Sequence, residues 1–229
     1  MRAPGLPLLL LVVACGGAAT GPDATDDVDA GAPDGAGVDA PPRPDPGPVR
    51  GSFALTYYWV TAEADFAGAA DTALYSPGCA ALATVPRGFA DSLAVEGTGR
   101  LRDGRLLNVD GPCGCPASPC FVEAPADHAW GTGVMDRPLV PYRSIAVDPR
   151  VVPYGTTLWL AELDGVAVPG PAPWGGFVHD GCVVAADTGG AIVGQHLDWF
   201  VGERASYRTL DGTLGLAAVT VHDGGARCP

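Results

Sequence analysis

Apolar and polar residues alternate over short stretches from residue 53 onward, and the alternation predicts strands. Phe53 to Val60 is rich in β-branched and aromatic residues. Ser92–Glu96 reads as a further strand, and Gly99–Arg102 with Arg105–Val109 as a hairpin about Asp103-Gly104, a pair suited to a type I′ turn. Ser144–Val147, Thr156–Leu160, Cys182–Ala186, Leu197–Val201 and Leu216–Val221 continue the same style. The helical period is weak. Ala62–Ala73 is the best candidate helix, and no segment offers a long amphipathic one. Many short strands between Gly and Pro turns point to a mainly β fold, a barrel or sandwich. No internal repeat is visible.

The first residues break this pattern. Leu6 to Ala14 is apolar apart from Pro7, follows Arg2, and is too short to span a membrane permanently. Val12-Val13-Ala14-Cys15 resembles a bacterial lipobox. That implies a lipoprotein signal peptide at 1–14, removed before Cys15, and lipidation of the Cys15 thiol. Gly16 after the cysteine implies sorting to the outer membrane, on its periplasmic or cell-surface face. Residues 16–50 hold seven Asp, two Arg and no aromatic residue among Gly, Ala and Pro. Such composition cannot bury enough apolar area to offset chain entropy, so 15–50 is expected to be a lipidated cysteine and a disordered tether. One domain is expected over 51–229.

Composition narrows the chemistry. The chain has 229 residues and a formal net charge of −13. All 13 basic residues are Arg, which excludes Schiff-base lysines and Walker-type phosphate loops. The acidic balance argues against nucleic acid as a partner. Besides Cys15 there are six cysteines: Cys79, Cys113, Cys115, Cys120, Cys182 and Cys228. An even number in an exported chain predicts three disulfides stapling Gly/Pro-rich loops, with connectivity open. The Cys113–Cys120 cluster lacks the second ligand pair of a zinc ribbon, and His179, His196 and His222 show no ligand spacing, so no metal is expected.

Three aspartates carry the candidate chemistry. Asp148 sits in Ile-Ala-Val-Asp-Pro. Asp187 sits in Val-Val-Ala-Ala-Asp-Thr-Gly-Gly-Ala-Ile, and Asp198 in Gly-Gln-His-Leu-Asp-Trp-Phe. Each follows apolar residues, where a charged side chain is costly unless it is bonded or functional. Ala186-Asp187-Thr188-Gly189 matches the short tripeptide of aspartic proteases. Only one copy is present, and Ile192-Val193-Gly194 follows far too closely for the second motif of that class.

The order, spacing and flanking glycines of "AVDP..VPYGT…AADTGGAI.G..LDWF" resemble the three-aspartate (3D) domain of MltA-type lytic transglycosylases, over about residues 144–222. The resemblance implies a six-stranded double-psi β-barrel with the aspartates in one cleft. It implies peptidoglycan glycan strands as partner, no cofactor and a monomer. It also implies cleavage of the MurNAc–GlcNAc β-1,4 bond to a 1,6-anhydro product, with Asp198 acting as acid and then base. On this reading Asp187 and Asp148 bond sugar hydroxyls and orient Asp198, and Asp187 raises the Asp198 pKa by like-charge repulsion. Thr188, Gly189 and Gly190 approach the glycan, and Trp174, in a Gly/Pro-rich insertion at 163–181, lies at the cleft rim. Tyr57, Tyr58, Trp59 and Trp199 are either sugar platforms or core. Val193 stands where many relatives carry Lys, and 62–143 shows no clear counterpart of the large second domain of MltA. An expansin-like module that binds wall glycan without cutting it is the other reading.

Overall fold

A computed structural model of the chain describes residues 43–229. The signal segment 1–14, Cys15 and the tether up to residue 42 lie outside the described residues. Order begins before residue 51. Arg43 pairs with Asp164 at 2.7 Å, Arg50 pairs with Asp223 at 2.5 Å, and the Gly47 amide donates to the Asp223 carbonyl at 2.8 Å. Residues 43–50, assigned by composition to the tether, therefore lie on the domain. Backbone hydrogen bonds and two ion pairs hold them, which a count of apolar residues does not register.

The elements run β1 (Val49–Ala62), β2 (Ala70–Tyr75), β3 (Ala81–Pro86), α1 (Arg87–Glu96), β4 (Thr98–Arg100), β5 (Leu106–Gly111), β6 (Cys120–Glu123), β7 (Ser144–Ala146), β8 (Thr157–Ala167), β9 (Val178–Asp187), β10 (His196–Glu203), α2 (Arg204–Leu214) and β11 (Ala218–Asp223). Six of the strands close a ring in the order β1-β10-β7-β9-β8-β11, with β11 returning to β1. The pairs β1–β10 and β7–β9 are parallel and the other four antiparallel. This is the closed, mainly β six-stranded barrel that the sequence pointed to, and closure leaves no exposed ring edge.

The barrel interior follows a period of two. Phe53, Leu55, Ile145, Val147, Leu158, Leu160, Val183, Ala185, Leu197, Trp199, Val219 and Val221 are all buried in one cluster. Trp199 is wholly enclosed there, and its indole N–H donates to the Tyr142 carbonyl at 3.1 Å. It is core and not a sugar platform. Tyr57 packs against Trp199 and Tyr207, and Trp59 stacks on Tyr207 with ring centroids 4.8 Å apart.

The far end of β1 leaves the ring and pairs with β4, which continues into β5 and β6. These strands, the β2–β3 hairpin and α1 make a small lobe with its own core of Leu74, Val85, Phe89, Leu93, Leu101, Leu107 and Phe121. The β4–β5 hairpin turns where expected, but only Gly104 (φ +93°) is left-handed and Asp103 is not, so the turn is not type I′. Two further local expectations fail, and α2 is an element that the pattern does not announce. Ser92–Glu96 is the last part of α1, because Phe89 and Leu93, one helical turn apart, both point into the lobe core. Burying each contributes roughly 1.5–3 kcal/mol. Ala62–Ala73 is a short 3₁₀ turn followed by β2. α2 arises in a polar stretch that buries only Ser206 and Leu210. The two ends of the 163–181 insertion extend β8 and β9 into a longer hairpin, and residues 168–177 form its tip.

The six cysteines pair as Cys79–Cys115, Cys113–Cys120 and Cys182–Cys228. The first staples the lobe's Gly/Pro-rich excursion to the β2–β3 turn, and the second closes that excursion on itself. The third ties the chain end to β9. Cys113, Cys115 and Cys120 bring their sulfurs within 4.8 Å of one another, but every one is engaged in a disulfide. Cys182–Cys228 closes 46 residues and Cys113–Cys120 only 7. Chain-entropy arithmetic gives about 4 kcal/mol for the longer loop and about 2.5 for the shorter. Denaturant unfolding of the two Cys→Ala double variants should show the larger loss for Cys182/Cys228. The reverse order would show that the pairs do not act mainly through the unfolded chain.

Candidate functional site

The site is built by a single row of residues across four strands. Thr56 on β1 pairs with Asp198 on β10. Asp198 pairs with Ala146 on β7, and Ala146 with Asp187 on β9. Cross-strand partners share a face, so both aspartates project to the same outer face of the barrel. They stand two strand spacings apart, about 10 Å between backbones, with the small Ala146 between them. Parity along β9 alone would send Asp187 inward with Val183 and Ala185. A register shift makes the difference: Ile145 pairs with Ala185, but Ala146 pairs with Asp187, leaving Ala186 as an extra residue.

The three aspartates are held in different ways. Each oxygen of Asp187 accepts one bond: Oδ2 from the Tyr58 hydroxyl at 2.8 Å and Oδ1 from the Thr188 amide at 2.9 Å. Burial nevertheless raises its pKa to about 6, opposed by these two bonds and assisted by the charge of Asp198. Asp198 accepts one bond, from the Thr56 hydroxyl to Oδ1 at 2.7 Å; Thr56 in turn lies 2.9 Å from His196 Nε2. Its Oδ2 has no protein partner among the described residues. Burial raises the Asp198 pKa, and Thr56 and His196 oppose the rise. Like-charge repulsion between the two carboxyls is mutual, and at Asp187 it adds to the rise.

Asp148 does not join them. It is 3% exposed, and both its oxygens are saturated. The Arg150 guanidinium bonds it at 2.9 and 2.7 Å, with the Arg150 amide at 3.0 Å and the Gly194 amide at 2.8 Å. The Arg150 side chain and these amides hold its carboxyl well below the usual range. Asp148 therefore pins the turn that ends at Gly194, with both oxygens engaged by protein donors. A carboxylate already accepting four donors is a fastener for the loop, here the one carrying Gly189 and Gly190.

A cavity of about 360 Å³ opens between the barrel row and the small lobe. Asp187, Asp198, Thr188, Gly189, Gly190 and Tyr58 line its barrel side. The other side comes from the end of α1, from Thr98 and Asn108, and from the segment 132–134. Asn108 organises that wall: its amide nitrogen donates to Thr98 Oγ1 and the Thr132 carbonyl, and its oxygen accepts the Thr132 N–H. Gly133 lies so close to the bulged strand that a Cβ there would fall 2.1 Å from the Ala186 carbonyl oxygen. Trp174 is elsewhere. It packs edge-on to Trp130 at 6.3 Å in a separate depression and does not line the carboxylate cavity. Loop composition, on which the expected place at the rim rests, carries no information on where the β8–β9 hairpin tip folds.

The family model described as "3D domain" matches residues 143–220. The chain carries a 3D domain. Comparison with curated proteins finds no match. Among solved structures, E. coli MltA with bound chitohexaose superposes with a TM-score of 0.52 at 18% identity, covering 76% of this chain and 71% of that one. A membrane-bound lytic murein transglycosylase from Agrobacterium tumefaciens gives 0.51 at 17% identity, covering 79% and 74%. These likenesses establish the fold, and they extend well beyond the 3D domain into the lobe that the sequence did not connect with MltA. Thr56, Asn108 and Glu96 join the three-aspartate pattern as site residues only through the fold, which also makes Tyr58 a hydrogen-bond partner of Asp187.

The Tyr58 hydroxyl favours ionised Asp187, so Tyr58→Phe should lift the Asp187 pKa further above about 6. Carboxyl-carbon NMR titration reads this directly, and an unchanged value would show the bond to be absent in solution. Linkage gives a second readout. Asp187 holds its proton in the native state well above its ordinary value of 3.8, so stability falls as pH rises from there through about 6. Urea midpoints of Asp187→Asn should fall less steeply over that window than those of the wild type.

Proposed function

We propose that this cleft binds peptidoglycan glycan strands and cleaves the MurNAc–GlcNAc β-1,4 bond without consuming water. Asp198 is the acid and then the base. The neutral Asp198 carboxyl gives its proton to the glycosidic oxygen as the C1–O bond breaks. The C6 hydroxyl oxygen then bonds C1, closing a 1,6-anhydro ring, and its proton returns to Asp198. The observation that carries the assignment is the unpartnered Oδ2 of Asp198 on a cavity where the oxygens of Asp187 are already engaged. A group that must hold and then regain a proton needs a pKa near the working pH, and burial moves Asp198 in that direction. The barrel likeness to MltA, whose structure holds chitohexaose, supports the substrate class.

Asp187 acts in this scheme through position. Braced by Tyr58 and Thr188, it lines the cavity two strands from Asp198, and Gly189 and Gly190 let glycan lie close to the backbone. The proposal includes location: cleavage before Cys15 and acylation of its thiol would place the chain as an outer-membrane lipoprotein. Labelled palmitate should enter the wild type and not Cys15→Ser. Equal labelling of the two would remove that part of the reading.

General acid–base catalysis contributes about 10²–10⁴-fold. Asp198→Asn should therefore reduce release of anhydromuropeptides from purified sacculi by at least 10²-fold, with glycan binding and folding retained. Asp187→Asn should reduce it less. Near wild-type release by folded Asp198→Asn would refute the assignment. Products with only reducing ends would refute the reaction class, and binding without products would favour the non-cutting module.

A further inference from the structure

Glu96 is a third carboxyl on the cavity that holds Asp187 and Asp198, and the three-aspartate pattern does not include it. It is the last residue of α1, before Gly97 turns the chain at φ +80°. The C-terminal end of a helix disfavours negative charge, and cations are the usual residents. The last turn of α1 carries no basic residue. A carboxyl here is thus set against the local field, half-buried, and beside two other acids. Its Oε2 accepts the Trp59 amide at 3.2 Å. That amide lies at the register shift of β1 against β10, between the pairs Tyr58–Phe200 and Val60–Glu203. The other oxygen, Oε1, has no protein partner among the described residues, and it is not one of the buried unpaired atoms.

We propose that Glu96 is a glycan-contacting residue of this cleft: as a neutral acid it donates a hydrogen bond from its free oxygen to an oxygen of the bound sugar, and its ionisation weakens glycan binding. The proposal rests on the glycan-binding reading above. Its chemistry is that of a donor held opposite hydroxyl and acetamido oxygens, with Trp59 fixing the carboxyl plane.

The surroundings favour the neutral form. Burial pushes the Glu96 pKa from 4.5 to about 7; the Trp59 amide and Arg204 oppose the rise and the charge of Asp198 adds to it. Asp187 faces the same cavity from β9, while Asp65 and Arg204 share a neighbouring depression with Glu96. On α1 itself, Arg87 and Asp91 pair with each other at 3.6 Å near its start. The wall contributed by Thr98, Asn108 and residues 132–134 is uncharged.

The test is calorimetric titration of the full chain with chitohexaose between pH 6 and pH 8. Only the neutral fraction would bind fully, so wild-type affinity should fall about tenfold over this range, following the population of the competent form. Glu96→Gln is a neutral donor at every pH and keeps an oxygen for the Trp59 amide. It should lose most of the wild-type pH dependence, leaving only what Asp187 and Asp198 on the same cavity contribute, and bind more tightly than wild type at pH 8. Glu96→Ala should be weak at both, with thermal melts reporting that each variant is folded. A pH dependence in Glu96→Gln equal to wild type would overturn the proposal, as would wild-type affinity that does not change. Anhydromuropeptide release measured in parallel separates the readings. If the wild type binds with the expected pH dependence and releases no such product, the reaction fails and the role of Glu96 stands. If chitohexaose does not bind at any pH, both fail.

Discussion

The register shift at Ala186 is the feature on which the rest of the site depends. A parallel pair such as β7–β9 keeps a strict alternation of faces, and under that rule Asp187 would enter the barrel core. A carboxylate among Leu158, Val183 and Trp199 would have no partner and a desolvation cost of several kcal/mol. One extra residue turns it out beside Ala146 and Asp198. The bulged Ala186 carbonyl then faces the 131–134 segment so closely that only glycine fits opposite it at position 133. Strand register, carboxylate placement and the seating of the opposing wall are consequences of the same local insertion.

Electrostatics then distinguishes groups of similar chemistry. Asp148 accepts four donors and is locked as an anion under the Gly194 turn. Asp187 accepts two bonds in a half-buried place, and its pKa is raised to about 6. Asp198 accepts one and keeps an oxygen open. Glu96 stands at the unfavourable end of a helix dipole with one oxygen tied to the backbone. The gradient runs from a structural fastener to groups able to exchange protons or hydrogen bonds with a ligand, and it is set by partner count and burial, not by residue type.

The small lobe gives the cleft its second wall. The barrel row alone is an open surface. α1, β4 and β5 face it because the end of β1 leaves the ring and pairs with β4, so one strand belongs to both units. The Cys79–Cys115 and Cys113–Cys120 pairs stabilise a lobe whose core is small, where disulfides commonly supply what burial cannot.

The sequence by itself determined the mainly β class, most barrel strands, the β4–β5 turn, the even cysteine pairing and the three-aspartate motif with its flanking glycines. These are local signals: period-two alternation, turn residues at fixed offsets, and a motif short enough to read along the chain. Tertiary structure alone decided that Asp148 fastens a loop while Asp187 and Asp198 share a cavity, because a bulge that reverses parity leaves no mark in composition. It alone showed α1, since Phe89 and Leu93 become a buried stripe only once the lobe sheet exists to cover them. It also decided that Trp199 is core, that Trp174 lies away from the carboxylates, and that Glu96 and Tyr58 belong to the site. Each of these depends on which side chain meets which across strands far apart in the chain, and that is fixed by register and closure of the barrel.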